Sequence, residues 1–153
     1  MGLFNKPRKP LQIQHDVLGP LLYHSSKDDR YYEGTGLFIV DERGATRSIS
    51  FVMYANDQGP SAAQQELYKK LQTGFYTYIQ KMIPMLEQEF SLWGKNITIK
   101  DFNNEFSVVL LSMQQENESP IKWQVILDTI HDTNHQIIID FADDEPVDIL
   151  FDV

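Results

Sequence analysis

The side chains best suited to chemistry lie close together in one stretch, His131-Asp132-Thr133-Asn134-His135, with Asp140 five residues further on. Two imidazoles and a carboxylate are the donor set of a metal site, with ligands roughly 2.0–2.2 Å from the ion. A histidine oriented by an aspartate is equally the beginning of a general base. A metal-dependent or His/Asp hydrolase centred on His131, His135 and Asp140 is therefore one reading. Against it, His-x-x-x-His sets two rings together on one face of a helix, whereas this segment reads as a hairpin turn, across which the rings converge only if the pairing register allows it. Here Asp132, Thr133 and Asn134 are turn formers whose side chains bond nearby backbone. The turn reading is preferred, with no metal and no cofactor expected.

Other candidates are simpler. His24 stands near Asp28, Asp29 and Arg30 in a polar segment that reads as a loop. Asp143, Asp144 and Glu145 offer hard oxygen ligands, but without the glycine and ligand spacing of a calcium loop. Asn96-Ile97-Thr98 and Asn117-Glu118-Ser119 match the glycosylation pattern, which matters only on secretion. No Walker loop, G-x-G-x-x-G, G-x-S-x-G or H-E-x-x-H occurs. The chain has no cysteine, which excludes disulfides, a thiol nucleophile and thiolate-bound metal.

The elements that must position these residues follow from periodicity. The 153 residues make one domain. Residues 1–14, with Lys6, Arg8, Lys9 and two prolines, read as a loosely ordered basic leader ahead of a single domain over 15–153. Val17 to Tyr23, broken by Gly19-Pro20, reads as an edge strand or a strand entry. Tyr31–Val40 and Ala45–Tyr54 flank Asp41-Glu42-Arg43-Gly44 as a hairpin, and Ile49, Phe51 and Met53 share one face. Gly34-Thr35-Gly36 inside the first arm predicts a bulge or a close backbone approach. Ser61 with Gln64 forms a capping box that opens a long helix. Leu67, Leu71, Phe75, Tyr78, Met82 and Leu86 give it a continuous apolar stripe. Pro84 predicts a kink near residues 79–80, and Gly94 a stop. Asn96–Phe102, Phe106–Met113, Ile121–Leu127, Ile137–Phe141 and Val147–Phe151 read as strands. One helix leaves too few for βαβ crossovers. The expected fold is α+β, a mostly antiparallel sheet with one Pro-kinked amphipathic helix on one face.

Several of these pieces together carry a resemblance. They are the Met-Gly-Leu-Phe start with its Lys-Pro-Arg-Lys leader, His15 through Tyr23, Tyr32-Glu33-Gly34, Gly59-Pro60-Ser61 with Gln64, and Pro146-Val147-Asp148-Ile149-Leu150. The chain resembles small bacterial α+β proteins grouped as domains of unknown function. More loosely, it is similar to immunity-type proteins of bacterial toxin systems. The resemblance rests on packing and turn signals and implies no catalytic residue.

Charge narrows the partners. Thirteen Lys and Arg against 22 Asp and Glu give −9 at pH 7. A surface of that sign repels a phosphate backbone, so nucleic acid is not expected. No Lys or Arg follows Lys122, whereas Asp128, Asp132, Asp140, Asp143, Asp144, Glu145, Asp148 and Asp152 do. An acidic C-terminal face carrying Asp143, Asp144, Glu145 and Asp148 can steer a basic protein partner. The favoured reading is thus a non-enzymatic binding protein of adaptor or immunity type. Homodimerisation through a sheet edge or a Tyr-rich face fits either reading. No apolar run spans a membrane, and residues 1–10 lack the apolar core of a signal peptide. Lys6 stands where a myristoylation motif needs Ser or Thr, so a cytoplasmic location is expected.

Overall fold

A computed structural model describes residues 9–115 and 120–152. The strands are β1 (Leu11–His15), β2 (Gly19–Ser25), β3 (Arg30–Ile39), β4 (Thr46–Tyr54), β5 (Phe106–Met113), β6 (Lys122–Thr129), β7 (Asp132–Ala142) and β8 (Glu145–Asp152). Two helices, α1 (Ala62–Leu92) and α2 (Phe102–Glu105), fall between β4 and β5. The eight strands form one sheet in sequence order, each beside its predecessor. Every pairing is antiparallel except β4 with β5, where Phe51, Val52 and Met53 oppose Leu111, Ser112 and Met113 in parallel. The fold is α+β, as the patterning predicts. The single long helix does make one parallel crossover, because only a long connection can return the chain to run beside β4 in the same direction.

The core lies between α1 and one face of the sheet. From the helix come Leu67, Tyr68, Leu71, Phe75, Tyr78, Met82, Leu86 and Phe90. They meet Tyr32, Phe38, Phe51, Met53, Leu111, Trp123, Val125, Ile137, Ile139 and Phe141, all buried. The capping box at Ser61 forms as expected. Gln64 does more than cap: its Nε2 donates to the carbonyls of Tyr54 (3.0 Å) and Gln114 (2.7 Å). Those carbonyls sit just at the ends of β4 and β5, so a fully buried amide clamps the two parallel neighbours together. At the other end Gly94 (φ 81°) closes the helix, with Gly94 N–H donating to Ser91 and Lys95 N–H to Phe90. That pairing satisfies the last orphan carbonyls.

Three local expectations change, and at Gly34 and Gly36 one of two open alternatives holds. The break in α1 is at Gly74 (φ −151°, ψ 36°), and Pro84 stays inside helical backbone. Gly74 lies between Leu71 and Phe75, so the helix readjusts where its stripe crosses the sheet. Residues 11–14, expected in the leader, are strand: Leu11 through His15 pair with Tyr23 through Gly19. Residues 1–8 of that leader, and Asn117-Glu118-Ser119, lie outside the described residues. Ile97 and Ile99 are not in a strand. Glu87 Oε2 takes the Ile99 amide at 2.9 Å, which holds this segment to the helix as a loop. Gly34 and Gly36 lie in an unbroken register between β3 and β4, so they mark close approach rather than a bulge. A Cβ at Gly36 would strike the Tyr68 hydroxyl, and one at Gly34 would meet Leu21 and Phe51 at 2.8 Å.

Candidate functional site

The His131–His135 segment is the β6–β7 connection and the start of β7. His131 Nε2 pairs with Glu105 Oε1 at 2.8 Å, and His135 Nδ1 with Asp132 Oδ2 at 2.8 Å. Each ring is also flanked by aromatics, His131 by Phe90 and Phe106, His135 by Trp93 and Phe151. Glu105 takes the amides of Lys100 and Asp101 as well. These backbone bonds, with the one to His131, hold its carboxyl below the usual range. At Asp132 burial works the other way, but bonds from the Asn134 amide and the His135 ring outweigh it, and its carboxyl too is lowered.

Asp140 is elsewhere. It stands five residues along β7 from His135, roughly 16 Å at strand rise, and on the opposite face of the sheet, where it accepts from Gln124 Nε2 at 2.8 Å. The structure therefore does not bring His131, His135 and Asp140 together. Among the described residues no group of three His, Cys, Asp or Glu side chains is spaced to hold a metal ion. His24 turns away from Asp28 and Asp29 to bond Glu33 Oε1 at 2.8 Å, stacked on Tyr31.

Asp143, Asp144 and Glu145 form the β7–β8 turn, and much of their capacity is used within the molecule. Asp143 adopts φ 50° and accepts the Ile121 amide, while its carbonyl takes the Trp123 indole N–H. Asp144 accepts from Tyr78 and Lys70, and Glu145 from Lys81. The turn is thus stitched to α1. Asp148 lies beyond it, exposed on β8.

The more open chemistry is on the sheet face away from α1, where Asp128, Gln136, Asp148, Leu150 and Asp152 are exposed and Leu110, Ile126 and Ile138 only half-buried. Register and burial fix its residues. Leu110 opposes Ile126, Ile126 opposes Ile138, and Ile138 opposes Leu150. These four make an apolar row across β5 to β8, the first three half-buried and Leu150 56% exposed. One flanking row is Gln124, Asp140, Asp148 and the other Asp128, Gln136, Asp152. Asp140 and Asp148 stand directly opposite each other, and neither has a Lys or Arg partner among the described residues. Like charges in that relation destabilise a sheet. Beside the row, toward β1, the same face holds a trough of about 780 Å³. Gln12 and Gln14 line one side of it, Leu22, Val52 and Leu110 its floor, and Glu33 supplies a carboxylate.

This face is only partly legible in the sequence. Its signal was present, since Phe106–Met113 reads apolar on both sides and Ile126, Ile138 and Leu150 interrupt strict alternation. Periodicity alone assigns such runs to a sheet covered twice.

No helix of the described residues is long and apolar enough to cross a membrane. No protein-family model, curated protein or solved structure matches the chain.

Proposed function

We propose that this is a non-enzymatic protein-binding module, of adaptor or immunity type, that engages a basic partner through the uncovered sheet face. The observation that carries this reading is the opposed pair Asp140 and Asp148 beside an uncovered apolar row. A fold gains nothing from facing two carboxylates across a ladder, whereas a partner cation seated between them would relieve the repulsion and be held by both. The apolar row supplies the desolvated contact that charge alone does not. In this reading Asp148 acts with Asp128, Asp140 and Asp152. Asp143, Asp144 and Glu145 form the rim, already committed to backbone, Tyr78 and the lysines of α1.

The test is site-specific photocross-linking in cells, with the reactive residue at Ile126 or Leu150 and a control at Lys100. The expected result is one shared adduct of basic isoelectric point from both face positions and none from Lys100. Repeated in lysate, the yield of that adduct should fall with rising salt, and the adduct should disappear when Asp128, Asp140, Asp148 and Asp152 are all changed to Asn. Adducts that do not distinguish the face from Lys100, or no adduct at all, would sink the reading.

A further inference from the structure

We infer that the element received by this face is an amphipathic helix of the partner, laid across the strands along Leu110, Ile126, Ile138 and Leu150, with Lys or Arg on both flanks of its apolar stripe. The inference rests on the protein-binding reading above and specifies what binds.

Backbone accounting comes first. Strands β6 and β7 are each paired on both sides, so their N–H and C=O groups are used by the ladder. A ligand lying on the face finds no main-chain partners there, unlike one added at an edge. An extended segment would carry its own amides into an apolar contact unmet, at a cost. A helix satisfies them internally.

Spacing agrees. The four apolar residues advance one strand at a time, about 4.8 Å per step. Residues at i, i+3 or i+4, and i+7 on a helix advance at close to its 5.4 Å pitch. Such a helix sets one apolar side chain over each strand, and the row accommodates about three turns. Width agrees too. Two residues along each strand, about 6.6 Å away, the surface turns polar on both sides through Asp140 and Asp148 on one and Asp128 and Asp152 on the other. A narrow stripe fits between these rows, and the residues flanking it meet carboxylates, which selects Lys and Arg. A second copy of this chain is the poorer occupant. Face-to-face pairing would set carboxylate rows against carboxylate rows.

The experiment is a methyl-resolved NMR titration of the full chain with two 15-residue peptides of identical composition. Both carry Leu at helical spacing with Lys on either flank. One is locked helical by side-chain lactams, and the other is broken by a central proline that the first carries at its end. The helical peptide should shift the methyls of Leu110, Ile126, Ile138 and Leu150 and bind at least tenfold more tightly. Ile138→Gln and Leu150→Gln should each weaken it by about tenfold. Equal binding of the two peptides, shifts confined to other residues, or no binding by either would overturn the helix. Each of those outcomes leaves the protein-binding reading standing if cross-links from Ile126 and Leu150 still capture a basic protein. Absence of those cross-links is what removes it.

Discussion

The Tyr78 hydroxyl donates to Asp144 Oδ1 across 2.6 Å, joining the middle of α1 to the β7–β8 turn 66 residues away in sequence. Burial, then the bonded carboxylate, pushes the phenol up from its ordinary value. In return the Tyr78 bond, with help from Lys70 and Lys81, holds the Asp144 carboxyl below the usual range.

Tyr78→Phe should therefore destabilise the protein at neutral pH by about 1 kcal/mol. The sign of the pH dependence follows from linkage. A carboxyl with a depressed folded-state value stabilises above the unfolded range, near pH 4, and loses that contribution as pH falls through the folded value. The gap between wild type and Tyr78→Phe in urea midpoint should be open at pH 7 and narrowed at pH 2.5. A gap that is constant over that range would show that the bond does not perturb Asp144.

Glu105 gives a second acid-sensitive contact at the far end of the sheet. Its carboxylate collects the Lys100 and Asp101 amides and the His131 ring, fixing the approach to β5 and the β6–β7 connection together. Glu105 is lowered, so its contribution is likewise present above the unfolded carboxylate range and lost on acidification. Glu105→Gln should lower the urea midpoint at pH 7 and converge with wild type toward pH 2.5. Amide exchange in residues 95–105 should speed up selectively in the variant; uniform acceleration along the chain would contradict the local role.

Gly36 and Tyr68 make a pair suited to a double-mutant cycle. Gly36→Ala should cost about 1–3 kcal/mol by overpacking, since a new Cβ meets the Tyr68 hydroxyl. In a Tyr68→Phe background the same change should cost about 1 kcal/mol less. Strict additivity of the two substitutions would mean that the approach of β3 to α1 is not what Gly36 serves.

Neighbouring isoleucines on β7 separate the two faces. Ile139 is fully buried under α1, and Ile138 lies on the uncovered side. Ile139→Ala should cost about 2–5 kcal/mol and Ile138→Ala about 1 kcal/mol. Equal costs by chemical denaturation would mean that both faces are covered.

Much of the architecture is legible in the residues. The capping box, the helical stripe and the period-two strands each follow from local physics. So does the hairpin at Gly44, whose turn is tied by Asp41 accepting the Arg43 and Ala45 amides. What stays hidden is non-local. β1 is an exposed edge strand of five residues with only Leu11 and Ile13 apolar, so its pattern is weak and only pairing with β2 defines it. Ile97 and Ile99 look like a strand until Glu87 claims the backbone. His131 reads as part of a turn, but its partner Glu105 lies 26 residues away and nothing in the spacing points to it. The apolar residues of the uncovered face are visible in the sequence, but alternation reports which residues are apolar, not which side the single helix occupies.

Because the strands lie in sheet order, almost every pairing closes a short loop. The exception is β4 with β5, where Phe51 meets Leu111. Closing about sixty residues costs conformational entropy that a tight hairpin avoids. The N-terminal meander and the C-terminal meander can each form early, and their joining awaits α1. Folding should be limited by that one junction, with Gln64 and its two carbonyls as the last contacts to lock.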